Sequence, residues 1–135
     1  MNGLKFLSYL SNLTHLDIAN NNIEDEGLKT LQKFENSLIF LNIRNNGIGN
    51  KNLSCLRPFS RHLSHLNLSD NKITTEGLFE LSKSKLNFLD TLNLLENDID
   101  YELASMITNS LALSKVNPKS IRNIKSLKKQ ISEII

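Results

Sequence analysis

Two histidines stand at the same place in two similar strings, Leu13-Thr14-His15-Leu16 and Leu63-Ser64-His65-Leu66. Imidazoles bind zinc and carry protons, so they are the first candidates for chemistry. If the strings are strands with one strand between them, their backbones lie about 9.6 Å apart, twice a strand spacing of about 4.8 Å. Zinc–nitrogen bonds run near ~2.1 Å and no third ligand is evident, so no metal site is expected. His62 falls in the loop ahead of the second string. Cys55 is the single cysteine and sits between Leu53 and Leu56, away from both strings. A Cys/His nucleophilic pair needs hydrogen-bond reach, so packing is the better reading of this thiol. One cysteine also excludes an internal disulfide and a multi-cysteine zinc site. No G-x-x-x-x-G-K-S/T, G-x-G-x-x-G or H-E-x-x-H string occurs, and these are the patterns that cradle phosphates or hold a catalytic metal. The carboxylates gather at helix starts and in loops, which suits dipole pairing better than a catalytic dyad. The chain is therefore read as non-enzymatic, with no catalytic residue, cofactor, metal or small-molecule substrate.

What positions these side chains is an internal repeat. Leu13-Thr14-His15-Leu16-Asp17-Ile18-Ala19-Asn20-Asn21-Asn22-Ile23 recurs as Leu38 to Ile48, Leu63 to Ile73 and Leu89 to Ile99. Each unit fits L-x-x-L-x-L-x-x-N-x-I. The asparagines Asn21, Asn46, Asn71 and Asn97 step by 25, 25 and 26 residues. Leu16 and Ile18 alternate with polar neighbours, as a half-buried strand requires. An asparagine has donors and an acceptor, so this column is expected to satisfy turn backbone in adjacent coils as an internal ladder. Between the strands, Glu24 to Phe34 places apolar residues at helical spacing behind an acidic start, which favours a helix. Thr74 to Leu81 repeats the arrangement. In the second coil Gly47, Gly49 and Pro58 surround Leu53-Ser54-Cys55-Leu56, so its helix is expected to be short.

The four in-phase units resemble the leucine-rich repeat family across residues 13–99. The Asp25-Glu26-Gly27-Leu28 and Thr75-Glu76-Gly77-Leu78 strings are similar to its ribonuclease-inhibitor-like branch, whose outer face is helical. The expected fold is α/β: a right-handed β/α solenoid with a parallel concave sheet and a helical convex side. The resemblance implies protein–protein recognition, as in enzyme inhibitors, GTPase regulators and effectors of intracellular bacteria.

The chain's 135 residues suit one domain. Residues 1–116 read as a leading half repeat plus four full repeats, because Gly3-Leu4-Lys5-Phe6-Leu7 aligns with Gly27-Leu28-Lys29-Thr30-Leu31. The first strand would then be a sheet edge through which copies could self-associate. Asn117-Pro118 breaks the fourth helix, and residues 117–135 read as an amphipathic capping helix with Ile121, Ile124, Leu127, Ile131 and Ile134 on one face. The net charge of +2 divides into −3 over residues 1–114 and +5 over 115–135. The lysines of this last segment read as solvated. A membrane- or nucleic-acid-attached adaptor is the alternative.

Residues that alternate with the buried leucines form columns on the concave face. His15, Phe40, His65 and Thr91 make the first, and Asp17, Asn42, Asn67 and Asn93 the second. Ala19, Arg44, Ser69 and Leu95 make the third. Phe40 stands out, since a polar face has no packing need for an exposed phenyl ring and aromatics and arginine are enriched at interface hot spots. The expected partner-binding residues are His15, Asp17, Phe40, Asn42, Arg44, His65, Asn67, Asn93 and Leu95. The expected function is a protein-interaction module, with regulation of a GTPase-type enzyme in trans as a further alternative. No apolar run approaches the ~20 residues of a membrane helix, and no secretory signal is read at the N-terminus. The expected location is the cytoplasm. The Asn/Lys/Ile-rich composition and the family also fit an effector delivered into a host cell without a cleavable signal.

Overall fold

A computed structural model describes residues 9, 10 and 12–100. Most of the leading half repeat, the whole of the expected fourth helix and the C-terminal cap lie outside the described residues. Four three-residue strands form one parallel sheet in chain order: β1 His15–Asp17, β2 Phe40–Asn42, β3 His65–Asn67 and β4 Thr91–Asn93. Among the described residues β1 stands at one end of the sheet, the edge from which self-pairing is expected.

The register follows the repeat. Leu16, Leu41, Leu66 and Leu92 are mutual partners in one row across the sheet. All four are buried, while the residues on either side of each are not. Period-two alternation thus directs one face of the sheet inward. The ladder outruns the strands: Asn20 donates to the Arg44 carbonyl at 2.9 Å and Asn45 to the Ser69 carbonyl at 3.0 Å.

Behind the sheet the chain returns through helices. Helix α1 is Glu24–Leu31, continued by a 3-10 turn Gln32–Phe34, and helix α2 is Thr75–Ser82. The Glu26 carboxylate accepts from Lys29 at 3.0 Å, a hydrogen bond and charge that hold it below the usual range. At α2 the Thr74 hydroxyl donates to Glu76, and this bond together with a backbone hydrogen bond lowers that carboxyl. Leu28, Leu53 and Leu78 form a buried row, as do Leu31, Leu56 and Leu81. These rows join the strand leucines in one apolar cluster. Repeating the same residue every coil lets each side chain pack on its own copy, so the core is continuous from coil to coil.

The second coil differs from expectation. Its helix is a nine-residue 3-10 helix, Leu53–Arg61, with Pro58 inside it. A 3-10 helix has three residues per turn, so side chains at i and i+3 eclipse. Leu53, Leu56 and Phe59 fall on that period and are fully buried. In this pattern the donor to the Cys55 carbonyl would be residue 58, and proline has no N–H. Gln32 of the first coil supplies the missing donor, its Nε2 reaching the Cys55 carbonyl at 3.1 Å. A proline that should shorten the helix is accommodated by a neighbouring coil.

The step of 26 residues between Asn71 and Asn97 also has a structural reason. Leu63 to Leu89 holds one residue more than Leu38 to Leu63, and the extra residue lies in the turn after α2. The buried rows before and after that turn therefore keep their phase.

Two features make stability predictions. Gly27 and Gly77 occupy equal places in α1 and α2, where a Cβ would stand 2.6 Å from Ile23 Cβ and 2.7 Å from Ile73 Cγ2 respectively. Gly27→Ala should therefore lower stability by about 1–3 kcal/mol through overpacking, although alanine is the better helix former by about 1 kcal/mol. Urea denaturation measures the sign. Separately, Asn20, Asn45, Asp70 and Glu96 form a column with φ of +62°, +49°, +53° and +55°. Asn and Asp visit this left-handed region more readily than other non-glycine residues. Glu96→Asn should raise stability by about 0.5–1 kcal/mol, read as a higher thermal midpoint.

Candidate functional site

The outward face of the sheet carries the sequence's candidate residues in the expected columns. His15 pairs with Phe40, and Phe40 with His65, across adjacent strands. The His15 and Phe40 rings are stacked, with centroids 5.8 Å apart and planes 17° from parallel. Phe40 and His65 meet at 6.2 Å with a 36° tilt. The phenyl ring thus lies between two imidazoles and is half-buried, so it is packed where the sequence suggested it had no packing need. Both distances lie in the range favoured by aromatic pairs. Each imidazole is further held by the hydroxyl before it. Thr14 Oγ1 lies 3.0 Å from His15 Nδ1, and Ser64 Oγ lies 2.6 Å from His65 Nδ1. The repeated Thr/Ser-His-Leu string was the sequence signal for these hydroxyls.

The second column has a local task as well as an outward position. Asp17 Oδ1 accepts from the Ala19 N–H, Asn42 Oδ1 from Arg44, Asn67 Oδ1 from Ser69 and Asn93 Oδ1 from Leu95, all at 3.0–3.2 Å. Each is an Asx turn that bends the chain out of its strand. Asp17 and Asn42 are also joined, the amide donating to Oδ2 at 2.9 Å. These residues therefore offer a partner only what the turns leave over, mainly the Nδ2 groups of Asn67 and Asn93.

Arg44 is exposed, and its Nε donates to Asp70 Oδ2 at 2.5 Å. This pair ties the second coil to the third. Asn45 Nδ2 donates to Asn20 Oδ1 at 2.8 Å and does the same between the first and second. Asp70 and Asn20 stood beside the sequence's candidate set rather than in it. Leu95 is half-buried at the far end of the third column.

Beneath this face run the four repeat asparagines. Asn71 is the most fully used: Oδ1 accepts from the N–H of Asn46 and of Ile48, both at 3.0 Å. Its Nδ2 donates to the carbonyls of Ile43, Leu68 and Ser69. Asn46 makes the equivalent bonds to Asn21, Ile23, Ile18 and Arg44. Asn97 accepts from Ile73 at 2.9 Å. Asn21 is exposed, and its Nδ2 donates to the carbonyls of Ile18 and Ala19 in its own coil. Among the described residues no buried side-chain nitrogen or oxygen lacks a partner.

Cys55 is a free thiol, partly buried against the core. His62 is exposed in its loop. Among the described residues no three His, Cys, Asp or Glu side chains converge as a metal would require.

With this geometry in place, the sequence profile of the leucine-rich repeat family matches residues 9–31 and 59–82. Those stretches are similar to leucine-rich repeats, which supports the family resemblance. They cover β1 with α1, and β3 with α2. The unmatched interval holds most of the 3-10 helix, the part of the chain that departs furthest from the α-helical coils. No curated protein matches the chain. Leucine-rich repeats generally mediate protein–protein interaction and are typically non-enzymatic.

The asparagine hydrogen bonds order a pair of substitutions. Asn71→Ala leaves two N–H donors and three carbonyls of a buried turn to find other partners, and should cost about 3 kcal/mol or more. Asn21→Ala should cost under about 1 kcal/mol. Chemical denaturation of both variants checks the order, and equal losses would contradict it.

Proposed function

We propose that the chain is a protein-binding module that docks a partner protein on the outward, concave face of its sheet. The observation that carries this reading is the His15–Phe40–His65 stack, which spans three strands. Rings that pack on one another are ordered before a partner arrives, so docking loses little side-chain entropy there. Arg44 flanks the stack with its stem and guanidinium exposed, already oriented by Asp70. Aromatic and arginine anchors of this kind carry most of the energy in protein interfaces. Asn67, Asn93 and Leu95 extend the surface toward β4 and would form its polar and apolar rim.

Within the same proposal the coils wind in the right-handed sense usual for parallel crossovers. The ribonuclease-inhibitor-like branch is supported by the Glu-Gly-Leu strings that open α1 and α2. The module works in a reducing cytoplasm, either its own or that of a host cell it enters as an effector.

The test begins with affinity capture of a partner and measurement of its binding to the purified chain. Phe40→Ala should weaken binding by about 2 kcal/mol or more, as hot-spot truncations do. Arg44→Glu tests the same face with a side chain that bears no core contact. Unchanged affinity in both folded variants would overturn the docking proposal.

A further inference from the structure

A groove of about 640 Å³ lies away from the sheet face, lined by the 3-10 helix and the turns that follow α1 and α2. None of the columns on the sheet contributes to it. We propose that this groove is a second docking site, one that holds an extended acidic segment of a protein.

Its charge is one-sided. Arg57, Arg61 and Lys85 line it against the single carboxylate of Glu35. All three cations are exposed. The ion pairs among the described residues use Lys29, Arg44 and Lys83, so none of these three is neutralised by a described neighbour. Asn36, Ser54, Ser60 and Asn87 add amide and hydroxyl groups between the charges. Such a lining suits several carboxylates spaced along a chain, since arginine binds carboxylates through paired N–H donors.

The 3-10 helix sets the spacing. Its three-residue period, which buries Leu53, Leu56 and Phe59, puts Ser54, Arg57 and Ser60 in a neighbouring row and Pro58 and Arg61 in the next. At about 2 Å of rise per residue, Ser54 to Ser60 spans about 12 Å. That is the length of about four residues of extended chain. Lys85 enters from the turn that holds the third coil's extra residue, with its backbone left-handed at φ +49°. It places a third cation on the far wall.

The lining also separates this ligand from others. Among the described residues no aromatic side chain lines the groove, so they offer no stacking platform of the kind that single-stranded nucleic acid uses. The groove is open and its cations come from two separate elements, an arrangement for a strung-out ligand rather than one small anion.

The test uses the full chain and a fluorescein-labelled glutamate-rich peptide, with its glutamine counterpart as control, read by fluorescence anisotropy. The glutamate peptide should bind, the glutamine peptide should not, and added salt should weaken the complex. Arg57→Ala with Arg61→Ala should reduce affinity about tenfold. Lys29→Ala, which removes a charge from α1 outside the groove, should leave it within about twofold. Thermal melting monitors folding of each variant, and Lys85→Ala repeats the test on the opposite wall. Equal losses from Lys29→Ala and the double arginine variant would overturn the proposal in favour of general charge attraction. So would an oligonucleotide that displaces the peptide and is lost with the same arginines, since it would reassign the groove to nucleic acid.

Discussion

A parallel stack of coils has an accounting problem at every turn. Where the chain leaves a strand, its N–H and C=O groups lose their ladder partners and cannot be buried unpaired. Here one side chain per coil answers that demand. The amide of Asn71 takes two N–H groups of the preceding coil and gives to three carbonyls, one in that coil and two in its own. Because the amide reaches across the gap, it fixes the distance and phase between coils as well as satisfying the turn. The leucine rows can then pack like on like, and the strands can be as short as three residues. Without the asparagines, the same leucines would still collapse, but nothing polar would specify how the coils align.

The outward face inherits its order from that alignment. A 25-residue step in sequence becomes one strand spacing in space, so residues at equal places in successive units become neighbours. His15, Phe40 and His65 are brought side by side for this reason. The same rule makes the Asx column of Asp17, Asn42, Asn67 and Asn93, and the left-handed column of Asn20, Asn45, Asp70 and Glu96. Residues with a backbone task and residues free to meet a partner thus alternate along each strand. The framework uses the second column largely for its own turns, while the rings and the Arg44 side chain close none of them.

Periodicity made the strand rows, the helices of the first and third coils and the asparagine column readable from the amino-acid order. Each depends on one residue type at one interval. What escaped depends on pairs of different residues far apart in the chain. That Phe40 is enclosed by imidazoles requires the rotamers of three strands, not their spacing alone. That Pro58 is tolerated requires Gln32 in another coil to replace the lost N–H. The turn role of Asn42 or Asn67 was hidden because an outward polar residue looks the same in sequence whether its oxygen faces solvent or the N–H two residues on. The basic groove gathers residues from three successive coils, and no contiguous string announces it.

Native-state hydrogen exchange reports most directly on the claim that side-chain amides lock the coils together. The N–H groups of Ile23, Asn46, Ile48 and Ile73 point at asparagine oxygens of the following coil rather than at any backbone carbonyl. If the ladder holds the stack, Asn46 and Ile48 should exchange only through near-global opening, with protection comparable to that of the buried strand residue Leu66. Exchange of Asn46 and Ile48 at the rate of exposed loop amides, with Leu66 still protected, would contradict the account.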